Sequence, residues 1–205
     1  MKASTFRRSA ITAVIGLIAA SPAAFAYEAG DWIVRVGAGS VDPKSDNGDI
    51  VSVDSGTMLV FNGTYMFSPT IGLEVLASLP FSHDIKLAAD GTKVGETKHL
   101  PPTISLQYHF ETDSAFKPYV GAGVNYTIFF KDKTTGPLTG MSLDLDNSIG
   151  LAAQLGFDYD ISDNMFVNLD ARWIDIDTDA KLDGVALETV KIDPLVYSVT
   201  LGWTF

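Results

Sequence analysis

Three histidines, at positions 83, 99 and 109, are the obvious places to look for chemistry in this 205-residue sequence. His83 and His99 flank a polar stretch, and with Asp84 beside them they form a candidate metal or acid–base pair. Two histidines and one acid on a loop are a weak ligand set, so no metal and no other cofactor is expected. His109 lies at the far end of its own segment and cannot join the other two. Ser82 adjoins His83, but neighbouring residues on an extended chain point apart, and no other serine is brought near a histidine by spacing. Nothing here reads as an enzyme. Asp144 and Asp146, then Asp175, Asp177 and Asp179, alternate as acids and could hold a hard divalent cation. They lack the spacing of a calcium loop and read as solvated loop acids. Cysteine is absent, which removes disulfides and thiol chemistry together.

These residues sit in an acidic chain, with 14 Lys+Arg against 25 Asp+Glu. A nucleic-acid binder needs clustered cations against phosphate, so that class is excluded. The first 26 residues read as a cleavable signal peptide. Lys2, Arg7 and Arg8 precede the apolar run Ala10–Ala20, and Ala24-Phe25-Ala26 gives the small-x-small cleavage pattern. That run is too short to span a bilayer, which takes roughly 20 residues. Residues 27–205 would then form one domain.

The elements that must position the side chains are strands. Eight segments alternate with period two at the length a tilted membrane strand needs. They are Asp31–Ser40, Thr57–Phe67, Ile71–Pro80, His99–Phe110, Lys117–Phe130, Ser148–Tyr159, Met165–Asp177 and Lys191–Phe205. In the last, Leu195, Tyr197, Val199, Leu201, Trp203 and Phe205 share one face, while small and polar residues fill most of the other. The connections alternate between short and long. Ser68–Thr70, Glu111–Phe116 and Asp160–Asn164 are tight; Val41–Gly56, Phe81–Lys98, Lys131–Asn147 and Thr178–Val190 are long. Aromatic residues gather near strand ends, where interfacial girdles belong.

The expected fold is all-β: an eight-stranded antiparallel transmembrane β-barrel with four long extracellular loops and three short periplasmic turns. Both termini then face the periplasm of a Gram-negative cell. The terminal Phe205, a strand-phase aromatic, is the feature expected to engage the barrel assembly machinery. A soluble lipocalin-like barrel alternates as well, and remains the competing architecture.

Several segments resemble the OmpW/AlkL family of small outer-membrane barrels: KPYVGAGVNYTIFF (Lys117–Phe130), HLPPTISLQYHF (His99–Phe110) and LEVLASLPFSHDIKL (Leu73–Leu87). IDIDTDA (Ile174–Ala180) and IDPLVYSVTLGWTF (Ile192–Phe205) are similar too. The resemblance implies passage of small hydrophobic molecules across the outer membrane, and in some members a bacteriocin-receptor role. The alternative is a non-transporting structural or adhesive surface barrel, or a phage receptor, with loops against lipopolysaccharide.

An eight-stranded barrel is too narrow for an open aqueous pore. A hydrophobic solute would enter a pocket from the loops and leave sideways between strands. Pro80, Pro101 and Pro102 face each other across a long loop and mark either that lateral gap or plain strand ends. Proline has no N–H to leave unpaired. Met66, Leu76, Phe129, Ile174, Ile192 and Val196 take inward phases, as a solute path or as simple lumen packing. Arg35, Glu74, Asp158, Asp170 and Arg172 also point inward. Glu74–Arg35 or Asp170–Arg172 pairing is expected, with a polar plug as a further role.

Overall fold

The computed structural model describes residues 27–44 and 47–205, so the expected leader at 1–26 lies outside the described residues. The alternating segments form strands. In chain order these are β1 (Trp32–Asp42), β2 (Val51–Val53), β3 (Gly56–Met66), β4 (Ile71–Ser78), β5 (Phe81–Leu87), β6 (Lys93–Leu100) and β7 (Thr103–His109). There follow β8 (Phe116–Thr134), β9 (Leu143–Leu145), β10 (Ser148–Ser162), β11 (Met165–Ile174), β12 (Asp177–Leu182), β13 (Val185–Lys191) and β14 (Leu195–Thr204). Eight of them close into a ring in the order β1-β3-β4-β7-β8-β10-β11-β14, each antiparallel to its neighbours. Closure removes the unpaired edges that an open sheet would present to lipid.

Alternation in sequence becomes alternation in burial, strictly so along β7 and along most of β14. The outward set is apolar and exposed, including Val75, Ile104, Leu106, Val124, Leu151, Leu155 and Val199. The inward set is largely polar, including Thr64, Gln107, Asn125 and Asn168. A soluble barrel has the reverse arrangement, so lipid is the solvent of the outer face. Aromatic rings gather at the short-turn end. Trp32–Tyr65 and Tyr65–Phe67 each lie 5.2 Å apart, Tyr108–Phe110 5.0 Å and Phe116–Phe157 4.8 Å. The tight turn after β3 is held by Ser68, whose Oγ accepts the Ile71 N–H at 3.0 Å.

The long connections depart from the loops expected of them. Phe81–Lys98 is mostly a hairpin, β5 against β6, whose second strand pairs with the upper half of the long strand β8. The connection at 178–190 falls largely within a second hairpin, β12 against β13, joined by β9 in a separate three-stranded sheet. The wall therefore continues as β-structure well past the apolar band.

Candidate functional site

Below the middle of the barrel the lumen is crossed by charge. Arg35 on β1 donates to both carboxylate oxygens of Asp158 on β10, Nη2 at 2.6 Å and Nε at 3.1 Å. Tyr27 donates to the same carboxylate at 2.6 Å, and Asn168 donates to it at 2.8 Å. Arg172 on β11 donates to Glu74 on β4 at 2.7 Å, and Gln107 donates to Glu74 at 2.9 Å. Tyr119 donates to Asp170 at 3.0 Å, and Asp170 stands 3.6 Å from Arg172. The expected Glu74–Arg35 pair does not form. Arg35 finds Asp158 and Arg172 takes Glu74, both across the lumen, while the expected Asp170–Arg172 pair does form along β11. All five predicted charged residues join this network, which leaves no open aqueous bore at its level.

Above the charges the lumen turns apolar. Leu76, Phe129, Ile174, Ile192 and Val196 are buried together, joined by Val41, Met58, Val60, Ile176 and Val190. Met66 is the exception among the predicted apolar residues. It packs with Tyr27, Ile33 and Phe166 at the short-turn end, below the charges and away from any path through the upper cluster. Its phase was legible, but its height along the barrel puts it on the wrong side of the network.

The upper cluster leads into a tight, almost wholly apolar pocket with a free volume of about 50 Å³. Val51, Ile85, Val94, Leu143, Leu145 and Ile192 are among the residues of its apolar wall, and Phe129, His83 and His99 supply rings. Most of these residues belong to the long connections, whose register the alternation of the eight segments does not reach.

His83 and His99 do meet, but not as a metal pair. Their rings stack 4.8 Å apart at an interplanar angle of 3°, so their nitrogens lie in parallel planes and do not converge on one point. Asp84 turns away to Lys93 at 2.6 Å. Both histidines stand on strands above the apolar band. Burial lowers the pKa of His83, and burial together with the His83 charge lowers that of His99 to about 3. His109 lies at the other end of the barrel, 5.1 Å from the Tyr27 ring. The acidic alternation at 175–179 also resolves differently. Asp175 and Asp177 gather with Asp193, not with Asp179, and Lys44 pairs with Asp193 at 2.9 Å. Asp179 instead accepts the Thr189 hydroxyl at 2.6 Å.

The wall beside the pocket has a break. The β4–β7 ladder ends at Leu76↔Thr103, and pairing resumes in β5–β6 at Phe81↔His99. The Leu79 N–H points the other way, to Leu59 of β3 at 3.4 Å. Strand alternation then turns position 80 toward the break, and Pro80 has no N–H there. On the other side, Pro102 accepts the Tyr126 N–H at 3.0 Å, so position 101 turns toward the break, again without a donor. Asn125 donates to the carbonyls of Pro101 and Pro102 at 3.1 Å each. The residues at the break thus carry few unmet donors.

A strap crosses the mouth. The Glu188 carboxylate accepts the N–H groups of Asp49 at 2.9 Å, Ile50 at 3.1 Å and Val51 at 3.0 Å, tying the first long connection to the last. Asn47 reinforces it by accepting the Val53 N–H at 3.1 Å.

A closed eight-stranded antiparallel barrel is shared with known relatives. The OmpW family model matches residues 28–205. The chain belongs to the OmpW family. It is 42% identical to outer membrane protein W of Vibrio cholerae, over 94% of this chain and 96% of that protein. It is 30% identical to outer membrane protein AlkL of Ectopseudomonas oleovorans, over 87% of this chain and 84% of that protein. The crystal structure of outer membrane protein OprG from Pseudomonas aeruginosa superposes with a TM-score of 0.78 at 36% identity, covering 87% of this chain and 97% of that one. This OmpW-family chain is an outer-membrane barrel of Gram-negative type and not an enzyme. The short-turn end is its periplasmic end and the strapped mouth its extracellular one.

Proposed function

We propose that this barrel gives small hydrophobic molecules a passive path through the outer leaflet, entering the apolar pocket and leaving sideways through the wall break into the bilayer. The observation that carries the reading is the position of the pocket. It is lined by the extracellular connections, reaches down to His99, two residues before Pro101, and stands above a lumen closed by ion pairs. A solute that cannot continue down through buried charge has a short apolar route outward. The prolines favour such a route, because they delete the donors that a strand gap would leave unpaired in lipid.

The test is uptake of a medium-chain alkyl ester by whole cells carrying an intracellular esterase. Empty vector, this barrel and a Phe129→Arg/Leu76→Arg double variant are compared at equal folded barrel in the outer membrane. Wild type should exceed empty vector, and the double variant should fall to the vector level, because two buried charges now line the upper lumen. Wild-type uptake equal to the vector would overturn the conduit and favour a non-transporting surface barrel.

A further inference from the structure

Where the pocket, the apolar cluster and the wall break meet, three rings from three strands stand together. His99 of β6 lines the pocket and is also the first residue to pair above the break, opposite Phe81. Its ring stacks on His83 of β5 and lies 5.6 Å from Phe129 of β8, the residue directly across from it in the β6–β8 ladder. Phe129 belongs both to the pocket wall and to the apolar cluster. His99 pairs with Phe81, the neighbour of Pro80, and stands two residues before Pro101, so this group forms the side of the pocket nearest the break.

We propose that the stacked His83–His99 pair is an inner gate that sets how bulky a solute may pass from the pocket to the lateral break. The inference rests on the passage reading above and adds the residues that select within it. Stacked imidazoles suit the role. They are flat and short, and they can part by rotation about χ1 and χ2 without breaking the backbone ladder.

The pair is also connected to the mouth. His83 Nδ1 lies 2.5 Å from the carbonyl oxygen of Asp54, and its ring packs so close to Gly56 that a Cβ there would come within 2.9 Å of it. Asp54 directly follows β2, whose first residue, Val51, donates to Glu188 together with the two residues before it. Displacing the strap pulls on the residue that holds His83. Opening of the mouth and parting of the rings are thereby coupled through a few residues of backbone.

The experiment compares uptake of a slim linear octyl ester with that of a bulky adamantyl ester in the same whole-cell assay. It uses wild type, His99→Ala, His99→Trp and His83→Ala, with folded barrel quantified by heat-modifiable mobility. Discrimination between shapes in an apolar site is commonly worth about tenfold or more. His99→Ala should raise the bulky-to-slim ratio by about that factor, His99→Trp should lower it, and His83→Ala should raise it less. His99→Leu, closer in volume to the native ring, serves if the alanine variant fails to assemble, and should give an intermediate rise. Slim-ester uptake above vector in all variants with one unchanged ratio overturns the gate while leaving the conduit standing. Wild-type uptake no better than vector removes the conduit and the gate with it.

Discussion

Arg172 meets Glu74 at 2.7 Å across the full width of the lumen, since β11 and β4 stand four places apart in a ring of eight. Both side chains are essentially inaccessible to solvent. The pair works as a crossbar between opposite walls, and Gln107 and Asp170 complete its ends.

Removing one end of the crossbar should cost more than removing both. A buried charge left without its partner typically costs about 3–5 kcal/mol, whereas an apolar replacement of the whole pair is often neutral. Glu74→Ala should lower stability toward the small end of that range, because Asp170 still faces Arg172. The Glu74→Leu/Arg172→Met/Asp170→Asn triple variant, which leaves no unpaired charge at the crossbar, should recover most of the loss. Urea unfolding in lipid vesicles, followed by tryptophan fluorescence, checks both. A triple variant as unstable as the single one would show that packing, not unpaired charge, dominates.

The prolines make a second prediction. Restoring donors at the break with Pro80→Thr/Pro101→Thr gives β4–β5 and β6–β7 the means to pair where they now part. Uptake of the linear ester should slow several-fold while the amount of folded barrel is unchanged. The expectation fails if the variant takes up ester at the wild-type rate while amide exchange shows residues 77–80 newly protected.

How much of this was legible in the sequence depended on whether a residue lay in a segment with a fixed phase. Leu195, Val199 and Leu201 declare the lipid face because period-two alternation leaves no other assignment. The same rule placed Arg35, Glu74 and Arg172 inside. It could not choose their partners, because partner choice is set by which strands face each other across the ring. Height was equally hidden. Met66 and Leu76 share an inward phase, yet one lies below the ion pairs and the other above them. The pocket itself was least legible. Val51, Ile85 and Leu145 come from long connections whose short strands pair with distant partners, and no local pattern announces that. His83 and His99 were visible as a pair from their flanking positions, but stacking rather than convergence of their nitrogens is a matter of tertiary geometry.

The histidine pair carries a prediction about acid. Burial is the main cause of the lowered pKa at His99, and the charge of His83 adds to it. At His83 burial also leads, opposed by the Asp54 carbonyl and by the charges of Asp54 and Asp84. In the unfolded or opened chain both return to about 6.5. Below that pH the opened form binds more protons than the closed one, so the closed form loses stability as pH falls from 6.5 toward 3. Above 6.5 both forms are neutral and the term is flat. For His99 the slope approaches about 1.4 kcal/mol per pH unit well below pH 6.5. Amide exchange in β5 and β6, corrected for its intrinsic pH dependence, should therefore show protection falling between pH 6 and pH 4.5 while β1 and β14 hold steady. His99→Phe, which keeps a ring and cannot protonate, should remove most of that slope. A slope that persists undiminished in the phenylalanine variant would show that protonation of His99 is not its source.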